Sequence, residues 1–199
     1  MSNRKVSAKK LAGLDYCERI KCLESKGIKR EFNGESVYKG EIAHKLLQYK
    51  QREGVTEFPV DNGVIYGMVD LLIDKNGDII ILDWKPKKDN NQKVWAGDKL
   101  QLWAYCMAFQ DEFGCFDMYK DEVITAVISG YWEDNDGEIK TEEIYREVFQ
   151  PIHRMKVEAT LKRYWDIMNS DTPPLKTGSL KKCEKCDLKK ECEKLDKVK

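Results

Sequence analysis

The amino-acid sequence predicts an α/β fold: a mixed, mostly antiparallel central sheet flanked by helices. Three observations carry this reading. Residues 64–73 and 79–82 are apolar and β-branched on either side of the turn signal Asp74-Lys75-Asn76-Gly77, the pattern of two strands joined as a hairpin. Residues 122–145 repeat that pattern around Asp134-Asn135-Asp136-Gly137. The segments 7–26, 34–53, 94–113 and 151–169 space their apolar residues at helical intervals.

Composition supports a globular chain. At 199 residues one domain is expected, with ample length for a core. Charged residues make up 35% and hydrophobic residues 41%, which excludes a disordered chain. The net charge of zero hides an asymmetry: residues 1–30 carry +6, residues 176–199 carry +4, and the middle carries −10. Basic ends on an acidic body suit a localised anionic partner. No apolar run approaches a membrane span, and the N-terminus has no signal-peptide core. A cytoplasmic protein with no membrane partner is expected. Thiols stay reduced there, so the seven cysteines read as ligands or core residues rather than disulfides.

In chain order, the first helix, 7–26, can be capped by Ser7. It presents Leu11, Leu14, Ile20 and Leu23 and carries Cys17 and Cys22. The second starts at Gly34 or Ser36, runs to about Glu53 and contains His44. A lone helical histidine is most simply structural. Residues 57–61 form a short strand leading into the central hairpin.

The second strand of that hairpin is a continuous apolar run, Ile79 to Leu82, ending in Asp83-Trp84-Lys85. Side chains two apart point the same way, so Asp83 and Lys85 share a face while Trp84 faces the core. A two-residue loop at Asn76-Gly77 pairs Lys75 with Asp78 and sets Asp70 opposite Asp83. A four-residue loop leaves the two acids one diagonal apart, and a three-residue loop splits them between faces. Two acids converging at the end of a buried strand repel unless a cation sits between them. Hard oxygen ligands suit Mg²⁺ or Mn²⁺. A charge-edged surface hairpin is the plainer reading, and the apolar run into Asp83 weighs against it.

Residues 86–91 are polar and strand-breaking. The helix 94–113 stops at Gly114 and sets Gln101 and Tyr105 on one face. Cys106 and Cys115 read as small buried hydrophobes. Residues 138–145 form an edge strand. Pro151 opens the last long helix, on which His153 reads as exposed. The tail holds Cys183, Cys186 and Cys192 in a CxxCx5C pattern. Three thiolates at this spacing indicate a metal site that needs a fourth, distant ligand; Cys17 and Cys22 are the candidates.

Taken together, these residues resemble the PD-(D/E)XK nuclease superfamily, in particular its RecB-like branch. There a helical His is followed by GxxD, (D/E)xK and QxxxY, matched here by His44, Gly67-Met-Val-Asp70, Asp83-Trp-Lys85 and Gln101-Leu-Trp-Ala-Tyr105. The chain ends resemble the CRISPR-associated exonuclease of the fourth Cas family. In that family a Ser is followed ten residues on by Cys-Pro-Arg; Ser7 and Cys17-Glu18-Arg19 match, with Glu in place of Pro. Pro86 departs from the small or hydroxyl residue usual after the catalytic Lys.

The resemblance implies a restriction-endonuclease-like core at 31–175. It adds an iron–sulfur subdomain made from 1–30 and 176–199, all within a single domain of 1–199. A [4Fe–4S] cluster would be ligated by Cys17, Cys183, Cys186 and Cys192, with Zn²⁺ the alternative because thiolates alone do not separate the two. The implied activity is that of a Mg²⁺- or Mn²⁺-dependent deoxyribonuclease, an exonuclease. Asp70, Asp83 and Lys85 would be catalytic, and His44, Asp70, Asp83 and the Trp84 carbonyl would hold the metal. An imidazole ligand tips the preference towards Mn²⁺. Gln101 and Tyr105 would hold substrate. The implied partner is DNA, single-stranded or frayed at its ends. The implied role is trimming DNA in CRISPR spacer acquisition beside CRISPR integrase proteins. The alternatives are a phage or host recombination or repair nuclease outside CRISPR, and a non-cutting iron–sulfur subunit that binds DNA ends.

Overall fold

The structure, a computed structural model, describes residues 4–28, 30, 34–75, 78–88, 92–114, 122–176 and 180–196. The expected turn at Asn76-Gly77, the loop at 89–91 and Cys115 lie outside the described residues. Strands β1 (Val6–Ser7), β2 (Val55–Asp61), β3 (Ile65–Lys75), β4 (Asp78–Pro86), β5 (Val123–Glu133) and β6 (Ile139–Val148) form one mixed sheet. The pairs β1·β3 and β4·β5 are parallel; β2·β3, β3·β4 and β5·β6 are antiparallel. Its order is β1-β3-β4-β5-β6, with β2 also on β3.

β3 is the strand on which the sheet turns. Leu71 and Leu72 pair with β2 and β4 at once, and Tyr66 pairs with β2 and β1. β1 and β4 therefore share one edge of β3, at its opposite ends. Between them, residues 67–70 have no ladder partner on that edge.

The helices are α1 (Ala8–Tyr16), α2 (Glu18–Ser25), α3 (Gly34–Lys50), α4 (Ala96–Phe113), α5 (Pro151–Met168), α6 (Leu180–Glu184) and α7 (Lys189–Leu195). Ser7 caps α1 by accepting from the Lys10 N–H at 3.3 Å. The single helix expected over 7–26 is two, because Cys17 is extended (φ −169, ψ 117). The break lets the two halves serve different cores. Leu11 and Leu14 pack with the sheet, whereas Ile20 and Leu23 pack with Leu188 from the other end of the chain.

α4 lies on one face of the sheet, with Leu102, Ala104, Cys106 and Ala108 wholly buried. α1 and α5 pack beside it. Each large aliphatic side chain buried here contributes about 1.5–3 kcal/mol. On the other face Ala43 and Leu47 of α3 meet Leu71, Trp84 and Tyr131. β6 is the edge strand.

His153 is not the exposed residue the sequence suggests. It is 3% exposed and stacks on Trp103 at 4.6 Å. Its Nδ1 accepts the Gln150 N–H at 3.1 Å, closing a capping box at the start of α5. The cap draws the ring inward, an effect that helical spacing does not report. Among the described residues no helix is long and apolar enough to cross a membrane.

Candidate active site

The register of the central hairpin pairs Lys75 with Asp78 and runs to Leu71 with Leu82. The next step would pair Asp70 with Asp83, and there the ladder stops. Instead Asp70 Oδ2 accepts the Trp84 N–H at 2.7 Å. A side chain has replaced a backbone acceptor, and the strands part at the two carboxylates.

Asp83 ends the apolar run of β4 and is 3% exposed. Lys85 Nζ lies 2.7 Å from Asp83 Oδ2, a close ion pair that holds the amine against the buried carboxylate. Lys85 also donates to Gln101 Oε1 at 3.0 Å. Gln101 Nε2 donates to the Tyr105 hydroxyl at 2.8 Å and faces Asp83 Oδ1 at 3.4 Å. The one-turn spacing of Gln101 and Tyr105 on α4 makes this chain possible. Tyr105 fits because residue 67 is glycine: a Cβ there would lie 2.4 Å from Tyr105 Cε1.

His44 approaches from α3. Its Nδ1 is 3.7 Å from Asp70 Oδ1, and its ring meets Trp84 and Tyr131 edge-on at 6.0 and 5.5 Å. Trp84 is 2% exposed, its side chain in the α3-side core.

Burial, and then the charge of Asp83, push the Asp70 carboxyl up to about 7. Burial also raises Asp83, against the opposing pull of Lys85. Burial disfavours the Lys85 charge, but Asp83 more than offsets this and holds the amine protonated. Burial lowers His44, which keeps its imidazole neutral at pH 7.

Two further acids stand near and carry no sequence motif. Asp98, one turn before Gln101, adds its charge to Asp83 and Lys85. Glu57 falls opposite Asp70 in the β2·β3 register, between the pairs Thr56↔Leu71 and Phe58↔Val69. It has φ 52, a left-handed conformation costing about 1 kcal/mol for a side-chain residue. At this point the pleat of β3 changes phase, with Val69 in the α4-side core and Leu71 in the α3-side core.

Among the described residues no three His, Cys, Asp or Glu side chains converge closely enough to hold a metal ion. The donor chemistry nonetheless fits a hard divalent cation: a buried carboxylate at Asp83, a half-buried one at Asp70 whose proton affinity Asp83 raises, and a neutral imidazole.

Where the two chain ends meet, Cys17, Cys183, Cys186 and Cys192 line one cavity of about 370 Å³, backed by Ile20, Leu23 and Leu188. All four are free thiols. Arg19, 7% exposed, donates from Nη1 to Cys192 Sγ at 3.6 Å and pairs with Asp196 at 2.7 Å. Cys22 is 2% exposed and belongs to the sheet–helix core instead. Four thiols on an apolar-backed wall fit a soft-ligand metal group.

No curated protein matches the chain by sequence. The crystal structure of SSO0001 is similar over 94% of this chain and 84% of its own, with a TM-score of 0.53 and 21% identity, a likeness of fold. An alkaline exonuclease (LHK-Exo) from Laribacter hongkongensis aligns over 82% of this chain and 87% of its own, with a TM-score of 0.47 and 14% identity. The family model of the PD-(D/E)XK nuclease superfamily matches residues 34–193, a span holding His44, Asp70, Asp83, Lys85, Gln101 and Tyr105, and the chain belongs to that superfamily.

Proposed function

We propose that this nuclease-superfamily protein is a Mg²⁺- or Mn²⁺-dependent DNA exonuclease working on single strands or frayed ends. The observation that carries the reading is the pair of buried Asp83 and half-buried Asp70, both pushed towards protonation, with a charged lysine 2.7 Å from Asp83. Such a pair is unfavourable without a cation. Asp70, Asp83, His44 and the Trp84 carbonyl would hold the ion, which would supply a water of lowered pKa and offset charge on the phosphate.

The remaining work falls to the chain's own side chains. Lys85, held protonated, can donate from Nζ to the attacked phosphate or to the water beside it. Gln101 fixes the direction of that amine, and Tyr105 fixes Gln101. Burial of Asp83 and Trp84 keeps bulk water from the back of the site.

The four cysteines would hold a [4Fe–4S] cluster, or alternatively Zn²⁺, tying residues 1–30 to 176–199 as a subdomain against the core at 31–175. The motif resemblance at Ser7, Cys17 and Cys183–Cys192 is compatible with a cytoplasmic role trimming DNA for CRISPR spacer acquisition beside integrase proteins, and equally with a phage or host recombination nuclease, since both carry this cysteine pattern.

The test is cleavage of end-labelled single strands in Mg²⁺ and in Mn²⁺, with Asp83→Asn and Lys85→Ala beside the wild type. Each variant should lose about a hundredfold or more in rate while keeping DNA binding. Wild-type turnover by either overturns the assignment. A wild type that binds DNA ends and cuts in neither metal indicates the non-cutting end-binding subunit.

A further inference from the structure

We infer that single-stranded DNA reaches the site along the α1 side, with Tyr16 and Trp95 as stacking platforms for bases and Lys9, Lys10 and Lys182 as phosphate contacts. This deepens the nuclease reading above and rests on it. Two cavities, of about 670 and 480 Å³, adjoin at Gly13 and Tyr16. The first is bordered by Lys9, Lys10, Lys21 and Arg30, with Glu24 the one carboxylate among its described lining residues. Glu24 is already paired to Lys21 at 2.8 Å. The second holds Trp95 and Lys182 and ends on Gln101, the residue that orients Lys85.

The aromatics are placed as nucleotide platforms are. Tyr16 is 37% and Trp95 56% exposed. Lys182 Nζ lies 4.8 Å and Arg30 Cζ 5.6 Å from the Tyr16 ring centre, and Lys93 Nζ 4.0 Å from that of Trp95. A ring beside a cation offers a nucleotide both a π-face and a counter-charge. Asp15 and Asp98 border the second cavity and repel phosphate there. The backbone track therefore keeps to the Lys9, Lys10 and Lys182 side, and the bases turn to Trp95. Only unpaired bases expose faces for this, so the ligand is a single strand rather than a duplex.

The rival groove, between α3 and the β5–β6 hairpin, is as large, at about 680 Å³. It sets Lys39 and Lys87 against Glu35 and Glu133, and Lys39 is paired to Glu35 at 2.8 Å. Its charges cancel, leaving no net pull on a phosphodiester chain.

The experiment is anisotropy of labelled oligo(dT) with metal chelated, over a salt series. It compares wild type, Tyr16→Ala, Trp95→Ala, the double variant Lys9→Gln/Lys10→Gln, and Tyr38→Ala on α3 as control. Tyr16→Ala and Trp95→Ala should each weaken binding about tenfold or more. Tyr16→Phe and Trp95→Phe should restore it, which separates lost stacking from lost folding. The lysine pair should reduce the salt slope by about 1.4, and Tyr38→Ala should change neither quantity. Unchanged affinity in both aromatic variants, an equal loss in Tyr38→Ala, or an equal loss on a blunt duplex overturns the path. If wild type cuts DNA while these variants bind normally, only the path falls. If wild type neither binds nor cuts, the nuclease reading falls with it.

Discussion

Replacing Gly67 with Ala should damage the site through a residue with no polar atom in its side chain. At most glycines in ordinary conformations Ala stabilises by about 0.4–1 kcal/mol, by restricting the unfolded chain. Here the new Cβ would lie 2.4 Å from Tyr105 Cε1, about 1 Å inside ordinary carbon–carbon contact. Tyr105 is 5% exposed, so its ring has no solvent to move into. Overpacking of this kind costs about 1–3 kcal/mol, which exceeds the gain and leaves a net loss of about 1–2 kcal/mol. For a chain of this size that is a fall in Tm of roughly 2–8 °C. The displaced hydroxyl loses its 2.8 Å bond from Gln101, Gln101 releases Lys85, and the cleavage rate should fall about tenfold. The assay is a double-mutant cycle by thermal or urea melts, with Tyr105→Ala as the second change. Once the ring is gone, Gly67→Ala should stabilise by its ordinary gain of about 0.4–1 kcal/mol, giving a coupling of about 1–3 kcal/mol. Wild-type stability in the single variant, or additive losses in the double, would refute the argument.

Asp70 makes the metal-free protein pH-sensitive in a definite direction. Its carboxyl rises from an ordinary 3.8 to about 7 on folding, so between those values the folded state holds a proton that the unfolded state has released. Stability should then fall as pH climbs from about 4 to 7, and Asp70→Asn should remove that decline; a wild-type melting profile identical to that of Asp70→Asn contradicts the shift. His44→Ala should cost more cleavage in Mn²⁺ than in Mg²⁺, because imidazole favours the softer ion, whereas equal losses would make it a substrate contact. On the proposed cluster ligation, Cys186→Ala should lower the iron content of anaerobically purified protein and its Tm, since metal-binding energy is also folding energy; iron content equal to that of the wild type would remove Cys186 from the ligand set. His153→Ala should destabilise by about 2 kcal/mol, through the lost cap at Gln150 and the lost stack on Trp103, without altering cleavage; a melt unchanged from wild type would deny the ring its structural part.

Local pattern alone determined much of this protein. The turn signal before Asp78 offered three loop lengths, two of which bring Asp70 and Asp83 to one face, and the pairing of Lys75 with Asp78 is one of those two. The apolar run before Asp83 put that acid in the interior, and one helical turn put Gln101 beside Tyr105. These are short-range consequences of strand and helix periods, and a sequence carries them openly. Only the tertiary structure decided the rest. Glu57 stands opposite Asp70 through a pairing with a different strand, and its left-handed φ leaves no mark in composition. Cys17 rather than Cys22 joins Cys183, Cys186 and Cys192 on one cavity wall, because Cys22 is buried from α2 in the sheet–helix core while Cys17, extended at the break between α1 and α2, packs with the chain-end cluster. His153 is buried because a cap claims the edge of its ring and a distant Trp103 claims one face. Gly67 is required by a tyrosine on α4, 38 positions away in sequence. Each of these depends on which surfaces meet across the sheet, and contacts between elements distant in sequence follow no local period that could announce them.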